Sequence, residues 1–435
     1  MKGKSSQQDG AGARGWLYSA VLFLLLPYVA FHLVWRARRQ PEYLRFWGER
    51  FGRYHQIRPL RPVIWLHAVS VGETRAAAPL VKALQIRYPG HQILMTHMTP
   101  TGRETGEQLF GSDVLRCYLP YDYPFAVRRF LDHFEPELGL LLETEIWPNL
   151  IQACRSANIP LCLVNARLSE KSARRYARFG SLTAASLRQM SAIAAQTEED
   201  AQRLEALGAT NVSVVGNLKF DITPSAELLE LGQSLLQRFG PEREIFLAAS
   251  TREGEEEKIL DAVQGIGIPD LLIVIVPRHP QRFDAVAQLL EQRGIRYQRR
   301  SQEGPVGKDT AVVLGDSMGE MFAYYGACDV AFIGGSLLPY GGQNLIEACA
   351  VGKPVIIGPH TYNFTEAAKQ AVEAGAAVRV ASEVELVREL RDLLHSPERC
   401  RCMGQAGLEF SRQHQGATEK VMTLLKRIGL PVLPQ

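Results

Sequence analysis

The sequence predicts an α/β protein with two Rossmann-like βα domains facing a cleft, preceded by a hydrophobic membrane-anchor helix. Three observations carry that prediction. From residue 63 onward, short apolar runs alternate with stretches of helical spacing, the pattern of a parallel sheet covered on both faces. The alternation pauses over residues 223–244 and then resumes, so there are two series rather than one. An apolar run fills residues 16–35, close to the N-terminus. A chain of 435 residues exceeds one compact core, in keeping with two domains. With 46% hydrophobic and 22% charged residues, the composition is that of an ordinary globular enzyme. A net charge of +3 is too small to point to nucleic acid. The seven cysteines are scattered and form no C-x-x-C pair, which predicts free thiols in a reducing compartment and no zinc site.

The elements follow in order. Residues 1–40 hold a polar tail and the anchor. The apolar run is about the 20 residues a helix needs to cross a bilayer, and Trp16 and Trp35 mark its ends like an interfacial aromatic belt. No small-residue cleavage site follows it, which argues against a signal peptide. Arg36, Arg38 and Arg39 come next and should keep the bulk of the protein on the cytoplasmic face. Pro27 and His32 leave both a spanning and a surface-lying helix open. The first domain, residues 41–222, carries expected strands at 63–68, 92–96, 114–118, 138–142, 161–165, 193–196 and 212–215, with helices at 74–88, 124–134 and 147–158. Residues 223–244 show no strand-like run and are punctuated by Pro224 and the Gly240-Pro241 pair, so they read as an interdomain linker. The second domain, 245–435, carries expected strands at 245–249, 271–276, 311–314, 330–333, 354–357 and 377–380.

Ligands bind beyond the carboxyl ends of such strands, so the turns there are the place to look for chemistry. The glycine-rich turn that starts at Gly334 and includes Gly341 and Gly342 runs into a helix expected near Gln343. Glycines let backbone N–H groups approach a ligand, and a helix start favours an anion, so a phosphate fits. Glu347, one turn into that helix, suits ribose hydroxyls. The Pro277-Arg-His-Pro280 turn presents Arg278, whose planar fork matches phosphate or carboxylate. The turns Asp316-Ser-Met-Gly-Glu320 and Ser250-Thr-Arg-Glu-Gly-Glu255 lie on the same sheet edge. In the first domain, Glu143 and Glu145 are a pair that suits a metal only if both face one way, which a strand end does not assure. One structural and one cleft-facing carboxylate is the simpler reading. Asn165-Ala-Arg-Leu-Ser169 offers Arg167 at a turn and Ser169 as an N-cap. Ser70 and Glu73 have the spacing of a capping box, while the same glutamate, on a strand-to-helix turn, suits a general base. No P-loop, G-x-G-x-x-G or D-x-D signature is present, which disfavours P-loop NTPases and nicotinamide enzymes.

Taken together, several ordered motifs resemble one family. They are Arg45-Phe-Trp-Gly-Glu-Arg-Phe-Gly52, Ser70-Val-Gly-Glu-Thr74, Met98-Thr-Pro-Thr-Gly102, Glu143-Thr-Glu-Ile-Trp-Pro-Asn149, Asn165-Ala-Arg-Leu-Ser169, Leu218-Lys-Phe-Asp221, Pro277-Arg-His-Pro280 and the loop from Gly334 to Glu347. The chain resembles bacterial 3-deoxy-D-manno-octulosonic acid (Kdo) transferases, membrane-associated enzymes of the GT-B glycosyltransferase class. That resemblance implies CMP-Kdo as donor and lipid IVA as acceptor; with the anchor and its arginines, the expected location is the inner membrane with the catalytic domains on the cytoplasmic side, a leaving group with a single phosphate needs no metal, and no cofactor or nucleic acid is expected. The resemblance also implies Glu73 as catalytic base, and CMP contacts at Pro277, Arg278, Met318, Gly319, Glu320, Asn344, Leu345, Ile346 and Glu347. Further donor or acceptor contacts are expected among Ser70, Gly72, Thr101, Glu143, Glu145, Arg167, Ser250, Arg252, Gly341, Gly342 and Gln343. Gln343 and Arg252 depart from the family pattern, standing where histidine is frequent. Near a helix start, Glu73 is expected to stay ionised at neutral pH. Arg45, Arg50 and Arg53, interleaved with Phe46, Trp47 and Phe51, suit an anionic lipid surface. The competing readings are a GT-B transferase using a UDP-sugar and a non-catalytic two-lobed binding protein.

Overall fold

The computed structural model describes residues 5–38, 40–55, 58–302 and 304–429. Arg39 lies outside the described residues. The chain forms two compact units, one of residues 1–221 with 415–435, the other of residues 222–414.

The first unit is built on a seven-stranded sheet of β1 (Val63–His67), β2 (Gln92–His97), β3 (Val114–Tyr118), β4 (Pro136–Leu142), β5 (Leu161–Ala166), β6 (Ala192–Ala195) and β7 (Val212–Val214). All pairs are parallel, in the order β3-β2-β1-β4-β5-β6-β7. Alternation of side chains along each strand feeds two core layers. Val63 and Trp65 enter one with Leu141 and Leu163. Ile64 and Leu66 enter the other with Leu140 and Leu142. At Gly139 an added Cβ would lie 2.6 Å from Leu161 and 2.8 Å from the Trp65 ring, so the strand beside the tryptophan needs glycine there.

The second unit repeats the plan with β8 (Ile245–Thr251), β9 (Leu272–Pro277), β10 (Tyr297–Arg299), β11 (Val312–Leu314), β12 (Val330–Ile333), β13 (Val355–Ile357) and β14 (Ala377–Arg379). Their order is β10-β11-β9-β8-β12-β13-β14, again parallel. In each sheet the connections leave in opposite directions at one point, between β1 and β4 in the first and between β8 and β12 in the second. These switch points are where open α/β sheets hold ligands.

Five expectations change. The helix expected at 74–88 is two, Val71–Ala76 and Ala78–Arg87, because Pro79 in the first turn of the second cannot continue the backbone ladder of the first. Strand β10 was not expected. Residues 223–244 are not a bare linker: Ala226–Phe239 is a helix of the second unit. At Gly232 an added Cβ would lie 3.1 Å from the Ala323 carbonyl oxygen and 3.5 Å from the Gly326 Cα in the helix Met321–Ala327, so small residues let the two backbones approach. The second unit also does not extend to the C-terminus. The helix Ala417–Ile428 returns to the first unit, where Ala417, Val421 and Leu425 are fully buried beside Leu80, Val81 and Leu84. Asp221 accepts hydrogen bonds from the N–H groups of Gly416, at 2.6 Å, and Thr418.

The fifth change concerns the basic cluster. Arg45 and Arg53 are exposed, but Arg50 is buried. Its guanidinium donates to the Met98 carbonyl at 3.1 Å and lies 4.1 Å from the centre of the Tyr118 ring. Glu49 beside it is also buried, paired with Arg103 at 2.6 Å and accepting from Tyr118 N–H at 2.8 Å. Arg50 therefore serves the fold rather than a lipid surface, since a buried guanidinium stacked on an aromatic ring has no free face to offer.

Candidate functional site

Glu73 is held at the turn after β1. Ser70 caps the helix Val71–Ala76, its hydroxyl accepting from Glu73 N–H at 3.4 Å. The glutamate reaches back past the cap: Oε2 accepts from Val69 N–H at 2.7 Å, one residue before Ser70, and Oε1 from the Ser70 hydroxyl at 2.9 Å. The spacing therefore reads correctly for the Ser70 cap, while the reciprocal bond of a capping box is shifted by one residue to Val69. Yet the carboxylate is not an ordinary surface cap, because Glu73 is only 8% exposed. Burial pushes its carboxyl up to about 7, the nearby Glu143 and Glu145 charges push the same way, and the bonds from Val69 and Ser70 oppose them. The expectation of a permanently ionised Glu73 is corrected: a helix of six residues offers too little dipole to offset desolvation beside two other acids.

The other acids come from β4, the neighbour of β1 at the switch point. Glu143 adopts a left-handed backbone conformation (φ 58°) immediately after β4. Its Oε1 sits 3.2 Å from Lys219 Nζ. Glu145 accepts from the Trp147 indole N–H, and burial pushes its carboxyl up to about 7. Lys219 was missed as a site residue although its motif was noted. It arrives on the short turn Leu218–Phe220, which Asn165 fixes by accepting Leu218 N–H on its side-chain oxygen at 3.0 Å. The histidines that end β1 and β2, His67 and His97, are buried, and desolvation pushes both down to about 3. They stay neutral at pH 7 and leave proton chemistry to the carboxylates.

Ser70, Glu73, Glu143 and Glu145 thus gather at one switch point. Gly72 is exposed on the first turn of the same helix. Thr101 is exposed in the first turn of the helix Pro100–Phe110, whose cap is Thr99. The Arg167 side chain is also exposed, while its carbonyl accepts from the Thr144 hydroxyl. Among the described residues, no set of three or more His, Cys, Asp and Glu side chains is placed to hold a metal ion.

In the second unit, the turns after β8, β9 and β12 converge. Gly334 allows this approach: an added Cβ would lie 2.5 Å from the Ser250 carbonyl oxygen. Ser250 itself is left-handed (φ 57°). Arg278, at the buried end of β9 marked by Pro277, donates from Nε to the Gln343 side-chain oxygen at 3.1 Å. Arg252 lies over the Tyr340 ring at 4.7 Å. Gly341 is left-handed (φ 93°), with Tyr362 and Asn363 packed where a side chain would be, and Gly342 is buried next to it. Gln343 and Arg252, the two departures from histidine, therefore both make specific contacts.

Two expectations for the glycine loop are corrected. The amides of its first part are not free for a phosphate. Glu255, fully buried, accepts from Gly335 N–H at 2.6 Å, Leu337 N–H at 3.0 Å and Arg252 N–H at 2.9 Å. The helix after the loop begins at Ile346 rather than near Gln343 and is only five residues long. Leu345 and Ile346 are buried in the core, so only their backbone can meet a ligand. Asn344 accepts from Ile346 N–H at 3.1 Å and donates to Glu347 Oε1 at 3.1 Å, which orients that carboxylate. On the turn after β11, Met318 and Gly319 are exposed, and Glu320 pairs with Arg300 at 3.2 Å and accepts from the Ser317 hydroxyl at 2.6 Å.

Comparison with known proteins agrees with this architecture. Residues 45–222 match the family profile described as 3-deoxy-D-manno-octulosonic-acid transferase, and residues 257–410 match glycosyl transferases group 1. A 3-deoxy-D-manno-octulosonic acid transferase of Bordetella pertussis is 42% identical, over 94% of this chain and 98% of its own length. One from Haemophilus influenzae is 39% identical, over 94% and 97% respectively. Among solved structures, a glycosyltransferase from Rickettsia africae aligns with a TM-score of 0.56 at 14% identity, covering 85% of this chain and 99% of its own. MurG of Acinetobacter baumannii aligns with a TM-score of 0.53 at 14% identity, over 84% and 99%. The shared fold is GT-B. With two parallel sheets, a switch-point glutamate and relatives of this similarity over nearly its whole length, the chain belongs to the 3-deoxy-D-manno-octulosonic acid (Kdo) transferase family.

Proposed function

We propose that the protein transfers Kdo from CMP-Kdo to lipid IVA at the cytoplasmic face of the inner membrane, without a metal ion, and with Glu73 as general base. The observation that carries this reading is the Glu73 carboxyl, buried and poised near pH 7. A base works best with a pKa near the operating pH, which balances the ionised fraction against basicity. In the proposed step, an acceptor hydroxyl gives its proton to Glu73. Its oxygen forms the new bond to the anomeric carbon of Kdo, the bond from that carbon to the CMP phosphate oxygen breaks, and CMP leaves with the electron pair. The second unit holds the donor. Arg278 and the backbone of 343–345 meet the single departing phosphate, a charge small enough to be stabilised by fixed donors alone. Glu347, oriented by Asn344, takes the ribose hydroxyls.

Incubating purified protein with CMP-Kdo and lipid IVA and weighing the products tests the whole reading. Heat protection by UDP-sugars without protection by CMP would redirect the donor assignment, and loss of turnover in EDTA would remove metal independence. For the base, Glu73→Gln should abolish turnover and leave CMP binding intact; retained turnover sinks that assignment.

A further inference from the structure

The N-terminal helix, Ser5–Ala37, contains the 22-residue segment Trp16–Ala37 with a mean hydropathy of 2.0. At about 1.5 Å per residue this segment is close to the ~30 Å of a hydrocarbon core, so length does not decide whether it crosses. Its contacts do. Near its start, the Tyr18 hydroxyl donates to Asp122 Oδ2 at 3.0 Å, the Ser19 hydroxyl donates to the Asn149 side-chain oxygen at 2.9 Å, and the Tyr123 hydroxyl donates to the Leu22 carbonyl at 3.0 Å. Asp122 is no loose surface group. It also accepts from the N–H groups of Asn149 and Leu150 and so caps the helix Pro148–Ser156 of the first unit. Near the other end of the segment, Leu33 and Ala37 are buried against Tyr43. The helix also packs on Gly180–Gln189 and Pro148–Ser156 of the first unit.

The two faces of the helix differ. Tyr18, Leu22, Leu26, Val29, Leu33 and Ala37, spaced by three or four residues, are the less exposed. On the other side Leu17, Val21, Leu24, Tyr28, Phe31 and Trp35 share the same spacing and are exposed, Leu24 at 81%. Arg36 and Arg38 follow, also exposed. A helix held at Tyr18, Ser19 and Leu22 by the first unit, and packed on two of its helices, cannot also stand across a bilayer, because Asp122 and the backbone it caps would have to follow it into hydrocarbon. We infer that this helix lies in the plane of the membrane, one face docked on the first unit and the Leu17–Trp35 stripe embedded in the surface of an anionic phospholipid bilayer. The aromatic residues of the stripe and the arginines beyond it match the headgroup layer. This inference rests on the membrane reading proposed above and replaces an open choice of geometry with one arrangement.

A Ser19→Cys, Asn149→Cys double variant, bound to vesicles of phosphatidylethanolamine and phosphatidylglycerol and mildly oxidised, should form the intramolecular disulfide, read by mass spectrometry. Vesicle-bound protein that forms none overturns the in-plane helix while leaving membrane association standing, and full-length protein that fails to sediment with such vesicles overturns both. Independently, Trp16→Cys should resist an impermeant maleimide in intact cells and react after permeabilisation. Labelling in intact cells would mean that the helix crosses. Leu24→Glu should weaken vesicle binding about 10-fold or more, the cost of placing a charge among embedded apolar side chains; unchanged binding would remove the stripe from the interface.

Discussion

The two units share one topology and put opposite chemistry at the same place in it. At its switch point the first unit gathers three carboxylates, Glu73, Glu143 and Glu145, two of them pushed up to about 7, with one lysine on Glu143. At its own switch point the second unit gathers two guanidinium groups, Arg252 and Arg278, and satisfies its buried carboxylate, Glu255, entirely with backbone amides. Sheet order is the same in both units, and the turn residues decide which charge gathers at the switch point.

The contrast gives experiments ordered by size. Glu73→Gln should lower kcat by about 10³-fold or more at pH 8, the upper range for loss of a positioned base, with the CMP Kd from calorimetry unchanged. Arg278→Ala should do the reverse, weakening CMP binding by roughly 10–100-fold, the worth of a charge-assisted contact, with the melting temperature nearly unmoved. Glu255→Gln should weaken CMP binding and destabilise the second unit by about 1–3 kcal/mol, because an amide nitrogen would face amides that need an acceptor; urea unfolding measures this. If CMP binding survives in that variant, the loop does not depend on its internal anion.

Two smaller effects belong to the first unit. Glu143→Gln removes a like charge near Glu73, so the acid limb of the kcat/KM profile, expected near pH 7, should move down by roughly half a pH unit; Lys219→Met should move it up. Stability should also depend on pH there. Glu73, Glu145 and Asp122 each have a carboxyl raised to about 7, in every case first by burial. A raised acid favours the folded state while it is protonated. Its contribution is full below the unfolded value near 4 and is lost as pH rises through 7. The melting transition should fall between pH 6 and 8, by on the order of 1 kcal/mol for each group, and Glu145→Gln should flatten the slope.

Much of this plan was legible in local patterns. Buried parallel strands write themselves as short apolar runs, so thirteen of the strands fell where such runs lie, and the helix Pro124–Phe134 matches its expectation from end to end. Strand β10 was hidden because Tyr297–Arg299 is a half-buried edge strand with no apolar run. The helix Ala226–Phe239 was hidden by its flanking prolines and glycines, which mark its ends rather than its absence. The site failed differently. Ser70 and Glu73 announce their hydrogen bonds by spacing, but the proton affinity of Glu73 depends on residues about 70 positions away in the chain, as does the pairing of Glu143 with Lys219. Arg50 looked like a surface cation because composition does not reveal that Tyr118 and Met98 enclose it.

The helix Ala417–Ile428 has a consequence for synthesis. The ribosome delivers the whole of residues 222–414 before it delivers Ala417, Val421 and Leu425, which complete the core of the unit that was begun first. Domains generally fold as they emerge, N-terminal first. Here the order is inverted at the end, since the second unit can finish while the first still exposes an apolar groove. A released chain truncated just short of Gly416 would carry a complete second unit and an unsealed first unit, with Asp221 lacking the amides of Gly416 and Thr418.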